Sequence, residues 1–259
     1  MRIILPCPTC TEELIADGGG IPSDGVVVES RTAPVQDDGI YRTKCPNDHP
    51  LLVVLGNLPF ELLFESGLEA LVDGYFRESI SSFASALERL YEFSIRVQLT
   101  SCSTSNASIE TMWKSVAMQS ERQLGMYIAL RTSLDGSPPP LLDQKLTKLR
   151  NAVIHKGYFS SSQEAAEFGN ATYELIIHEA ERLNTRFPNA VNITKEARRV
   201  KAFSALQEGD TPQYLWLGLA VATPTERPFA EILRNASIAM TGRRTGQAPC
   251  APDSSSLDC

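Results

Sequence analysis

At 259 residues the chain has room for one large domain or two modest ones. A net charge of −7 and a pI near 5.1 exclude a protein that holds nucleic acid by its overall charge. The acid is unevenly placed. Through residue 78 thirteen Asp and Glu face only Arg2, Arg31, Arg42, Lys44 and Arg77, whereas between 145 and 201 ten basic residues outnumber six acids, so a polyanion is expected on the second half.

Arg2-Ile3-Ile4-Leu5 is too short for the apolar core of a signal peptide, and Pro6-Cys7 ends it. The apolar run Tyr214 to Ala222 falls well short of the roughly 20 residues that span a bilayer. No membrane association is expected. Six cysteines, three of them in metal-like spacing, suit a reducing cytoplasm better than a disulfide framework.

Residues 1–57 read as short strands and turns. Ile3–Leu5, Val26–Glu29, Ile40–Lys44 and Leu51–Leu55 are separated by glycine, proline and aspartate. Gly18-Gly19-Gly20 lacks the Gly-Lys-Ser/Thr of a phosphate-binding loop and reads as a turn. Cys7-Pro8-Thr9-Cys10 and Cys45-Pro46-Asn47-Asp48-His49 offer three thiols and an imidazole as two pairs, the donor set of a tetrahedral structural zinc. A segment this short buries little core, so a metal is a fitting staple. It resembles a zinc ribbon, which implies a structural ion and a surface for a protein partner. A catalytic metal is not expected, because all four positions are taken by the chain and no His-Glu-x-x-His segment exists. Cys102 is expected in the core, and Cys250 and Cys259 in the tail.

From about 67 the apolar spacing turns helical. Val72, Phe76, Ile80, Phe83, Leu87, Leu90 and Val97 predict one long helix over 67–99. A second, opened by Ser108, carries Ile109, Trp113, Val116, Leu124, Tyr127 and Leu130 until Gly136-Ser137-Pro138-Pro139-Pro140 stops it. A third buries Leu142, Leu146, Leu149 and Val153 and ends at a left-handed Gly157. The fourth covers 162–187, using Ala166, Tyr173, Ile176, Ala180 and Leu183, with His178 on its exposed side. Short connections between four helices imply an antiparallel bundle. Helices at 194–207 and 226–240 form a C-terminal extension over 188–240, followed by a disordered tail over 241–259.

The chemistry concentrates in Leu149-Arg150-Asn151-Ala152-Val153-Ile154-His155-Lys156-Gly157. On a helix Asn151 and His155 share a face, whereas Arg150 lies about 140° away from His155. Either the helix ends before His155, or the complete site uses a second copy of the motif. Spacing alone also fits a capping histidine beside a surface arginine.

Arg150 and His155, with Asn151 directly after the arginine and Ala86-Leu87-Glu88 on the first long helix, resemble the Arg-x4-His motif of the HEPN superfamily over roughly residues 67–187. The resemblance implies a mainly α fold, an antiparallel four- or five-helix bundle behind the small β zinc ribbon. It also implies a metal-independent endoribonuclease, of a kind used in phage defence or as a toxin, working as a homodimer on RNA. His155 would then be the general acid or base and Arg150 the phosphate ligand, with Asn151 orienting one of them and Glu88 the nearest acidic helper. The alternative is a catalytically silent HEPN module that binds a nucleotide or protein, with the ribbon as docking surface.

Overall fold

The computed structural model describes residues 1–17, 30–221 and 227–245. The glycine turn at 18–20, the strand expected over 26–29, Cys250, Cys259 and the tail from 246 lie outside them.

The N-terminal part holds two small sheets. Strands β1 (Arg2–Pro6) and β2 (Ser30–Pro34) pair antiparallel, with Ile4 opposite Thr32. Strands β3 (Ile40–Lys44) and β4 (Pro50–Leu55) form a hairpin, with Arg42 opposite Leu52. The third strand of that sheet, β5 (Gln213–Leu215), comes from the far end of the chain and runs parallel to β4. Tyr41, Leu51, Val53 and Leu55 point from one face into a core shared with Ile3, Leu5 and the three buried cysteines. Between β1 and β2 lies a helix that the turn-rich reading of this segment misses, α1 (Pro8–Ala16). Pro8 occupies a first-turn position, where its missing N–H costs nothing, and Glu12, Glu13, Leu14 and Ala16 favour the helix.

The body is mainly α. The single helix expected over 67–99 is two: α2 (Pro59–Val72) and α3 (Phe76–Ser101). The chain turns at Gly74, whose φ of 81° suits glycine, and the N–H of Tyr75 reaches back to the Ala70 carbonyl. Periodicity misses the break because Val72, Phe76 and Ile80 keep a spacing of four across it. The second expected helix also divides, into α4 (Asn106–Val116) and α5 (Ser120–Asp135). Ser105, not Ser108, caps α4 by accepting the Ser108 N–H at 3.2 Å. The Gln123 side chain closes the end of α4 by donating to the Ala117 carbonyl at 2.8 Å.

Helices α6 (Gln144–Lys156) and α7 (Ser162–Arg186) lie within a residue or two of expectation. Asp143 caps α6, and Ser161 with Glu164 forms a capping box on α7. Helix α8 (Pro188–Phe203) starts earlier than expected, with Pro188 in its first turn, and α9 (Phe229–Thr245) follows β5 and continues past 240, so residues 241–245 are helical where a disordered tail was expected. The central element is α3, against which α2, α4, α5, α6, α7 and α8 all pack. Phe64, Phe83, Leu90, Phe168 and Ile176 are fully buried around it. Cys102 is exposed where α3 ends, outside the core where a lone thiol was expected.

The C-terminal extension is stitched to the N-terminal part. Asn57, wholly buried, donates to the Leu217 carbonyl at 3.1 Å and accepts the Leu217 N–H at 2.7 Å. Its amide also meets Glu61 at 3.1 Å in the first turn of α2.

A buried polar network that no sequence pattern announces crosses the bundle. Glu179 on α7, 2% exposed, accepts from Ser94 at 2.5 Å, from Tyr127 at 3.1 Å and from Arg131. Arg131 also pairs with Asp135, which Arg182 grips through two bonds of 2.6 and 2.7 Å. The hydrogen bond from Arg182, then the charges of Arg131 and Arg186, hold the Asp135 carboxyl below its usual range. Its folded pKa is depressed, so its contribution is complete above the unfolded value near ~3.9 and is lost as pH falls through the folded one. Glu179→Ala is expected to destabilise by about 3 kcal/mol, the low end for a broken buried pair because Asp135 still serves Arg131. Urea unfolding measures it; an unchanged midpoint would show that the network carries no stability.

Candidate functional site

Two clusters carry chemistry. In the first, Cys7 precedes α1, Cys10 lies in its first turn, and Cys45 and His49 flank the β3–β4 turn. Only the second pair sits on a hairpin turn. The first pair sits at the N-terminus of α1, with Pro8 in its first turn. The four ligand atoms lie within 4.8 Å of one another, with the cysteines buried and the histidine half-buried. Cys10 Sγ is 3.7 Å from Cys45 Sγ and 3.2 Å from His49 Nδ1, and Cys7 Sγ is 3.7 Å from the same nitrogen. Bonds of about 2.0–2.3 Å to a tetrahedral ion put its ligands about 3.3–3.8 Å apart, so these residues could bind a metal.

The surroundings fit that reading. His49 Nε2 faces Glu13 Oε1 at 3.4 Å, which leaves Nδ1 turned to the sulfurs. Asn47 Nδ2 donates to Cys10 Sγ at 3.5 Å. Burial, then the Cys7 and Cys45 side chains, push the metal-free Cys10 thiol up to about 12. Burial raises Cys45 too, but the backbone N–H groups of His49 and Asn47, together with the Cys10 and Cys7 side chains, hold that thiol below its ordinary range. The sequence hid Glu13, which shares a helix face with Cys10 only once α1 is seen to be a helix.

The second cluster is the exposed end of α6. The helix runs through His155 to Lys156 and closes at Gly157, whose φ is 68°, with the Gly157 and Tyr158 N–H groups both turned back to the Ala152 carbonyl. Thus α6 does not end before His155, and Arg150 and His155 diverge by about 140° in one regular helix. Leu146 and Val153 are buried, with Leu142 and Leu149 packed partly against the core, so the expected stripe faces inward.

Arg150 leans toward α3. Its guanidinium meets Glu88 Oε1 at 2.6 Å and Asn151 Oδ1 at 3.1 Å. Asn151 therefore serves the arginine and does not hold His155. His155 is exposed, with no hydrogen bond or ion pair to it among the described residues. His178 is exposed on α7, as expected. Beside His155 stand Ile154, Tyr158 and Phe159, the last 84% exposed. Phe159 lies beyond the helix, in a loop with no periodicity to register it.

No helix among the described residues is long and apolar enough to cross a membrane. Comparisons of the chain with protein-family models, with curated proteins and with solved structures return no match.

Proposed function

We propose that the chain is a metal-independent endoribonuclease whose site is completed by a second copy, with the Cys3His cluster holding a structural zinc. One observation carries the reading: Arg150, Asn151 and His155 lie on one accessible helix end, where His155 is unengaged and Arg150 diverges from it by about 140° to pair with Glu88. A two-fold axis beside α6 would cover Ile154 and Phe159 and bring two arginines and two histidines around one phosphate.

In that arrangement one His155 takes the proton of a ribose 2′-hydroxyl, whose oxygen attacks the adjacent phosphorus. The bond to the 5′-oxygen breaks, and the second copy's His155 supplies the proton to that leaving group. Arg150 stabilises the charge growing on the phosphoryl oxygens, exchanging Glu88 for phosphate. The products are a 2′,3′-cyclic phosphate and a free 5′-hydroxyl, and no metal takes part. Zinc is the ion proposed for the other cluster because three thiolates and an imidazole form one of its structural donor sets.

The test is incubation of mixed RNA with the purified chain in magnesium-free buffer with brief EDTA, beside a His155→Ala control. Cleavage that survives EDTA, needs His155 and leaves cyclic phosphate ends supports the reading. Activity is also expected to depend on protein concentration, and mixing in His155→Ala subunits should depress it more than dilution does. Full activity in a strictly monomeric protein would rule out the composite site. A second reading, a catalytically silent module that binds a nucleotide or protein with the ribbon as docking surface, is favoured by the 2.6 Å Glu88–Arg150 pair, which neutralises the phosphate ligand. Under it the chain does not cut RNA.

A further inference from the structure

The β3-β4-β5 sheet has a second face, turned away from the core and meeting the metal-ligand turn at one end. Along β5 and just beyond it, Leu215, Leu217 and Leu219 pack toward the core, so by strand alternation Tyr214 and Trp216 point the other way. Trp216 is 57% exposed and yet firmly seated. Its indole lies over Gly56, where an added Cβ would stand 2.4–2.7 Å from three ring atoms. One ring face is thus set against backbone while the rest is turned to solvent. Next to it the Tyr214 and Phe203 rings sit 5.6 Å apart, with the Arg199 guanidinium over both at 5.8 and 5.9 Å.

The register extends this face to cations. Pairing of Ile40 with Val54, Arg42 with Leu52, and Lys44 with Pro50 places Arg42 and Lys44 on the same side as Tyr214, since Val54 is also its neighbour. A groove of about 970 Å³ opens there, bordered by Arg31, Arg42 and Lys44 together with Asp48 and Asp210, and reaching the Cys45 turn at one end. Three of the five cations in the first 78 residues therefore line one groove of an otherwise acidic segment. From Leu52 to Gly56 the face runs about 13 Å at ~3.3 Å per residue.

We propose that this sheet face is a docking track for single-stranded RNA, with Trp216 stacking a base and Arg42, Lys44 and Arg199 serving the phosphates. The choice of ligand rests on the ribonucleolytic reading. A rigid, exposed indole beside a row of cations is the combination that binds single strands, whereas the centre of a protein interface is depleted of charge. The partners of these cations, Asp210 at 2.6 Å, Asp48 at 3.3 Å and Glu196 at 2.5 Å, form exposed pairs that phosphate can replace at small cost.

The experiment uses the full chain carrying His155→Ala, so that the probe survives, and reads fluorescence anisotropy of a labelled oligouridine of roughly ten nucleotides. With Trp113→Phe added, Trp216 is the sole tryptophan, and its emission should be quenched as RNA binds. Trp216→Leu, which still covers Gly56, is expected to weaken binding about tenfold or more, while Trp216→Phe stays within a few-fold. Gly56→Ala, which displaces the indole, should behave like the leucine variant.

Undiminished affinity in Trp216→Leu overturns the proposal, as does equal binding of a duplex without quenching. Absent RNA binding with self-association lost in Trp216→Leu would assign the face to a protein contact instead. Cleavage by the His155-bearing chain is scored separately. RNA bound through Trp216 but never cut sinks only the enzymatic reading, and RNA cut equally well by Trp216→Leu, with unchanged affinity, sinks only this one.

Discussion

His155→Ala is expected to lower RNA cleavage by about 10²- to 10⁴-fold, the range removed with a general acid or base. Its effect on stability should stay within about 0.5 kcal/mol, as for other exposed side chains without partners. Both halves follow from one placement: the imidazole lies on the solvent side of α6 while Leu146 and Val153 do the packing. Arg150→Ala should also abolish cleavage but leaves Glu88 without its partner, so His155 is the cleaner probe. Measured side by side, cleavage and thermal unfolding separate chemistry from structure. A His155→Ala chain that unfolds, or one that cuts as well as its parent, would remove the histidine from the mechanism.

Stripping the metal is expected to undo the N-terminal part and spare the bundle. The core there consists of few apolar side chains around Cys7, Cys10 and Cys45, and metal binding in small zinc modules is worth an apparent ~10–16 kcal/mol. Elemental analysis should find about one zinc per chain, lost in Cys7→Ser or Cys45→Ser. Because the thiolates must be deprotonated to ligate, binding should release protons and weaken in acid. The tertiary links add something more specific. Since β5 pairs with β4 and Asn57 holds Leu217, hydrogen exchange should quicken at 213–217 as well as in β1–β4, while α3 and α7 stay protected. Protein purified without chelators and found free of zinc would end this account.

Much of the helical body was legible because its signals are local. Gly157 closes α6 and three prolines after Gly136 end α5, as expected, while the caps Asp143 on α6 and Ser161 with Glu164 on α7 are local signals that only the structure brought out. The misread stretches share a cause. At Gly74 the apolar stripe passes through a break without changing phase, and at Ala117 a side-chain amide from the next helix closes the turn. The first shows periodicity where no single helix exists, and the second is a contact with no sequence pattern.

The sequence by itself determined which side chains were on offer: two ligand pairs, an arginine, a carboxamide and an imidazole on one helix, and an inward stripe beneath them. These follow from residue chemistry and from the 3.6-residue turn, which act over neighbours. Tertiary structure alone decided their relations. It brought Cys7 and Cys10 to Cys45 and His49 across more than thirty intervening residues, and gave Arg150 to Glu88. It gathered Ser94, Tyr127, Arg131 and Glu179 into one buried network, and laid Trp216 on Gly56. Each of these depends on how segments far apart in the chain bury their apolar faces together, and no local period encodes that.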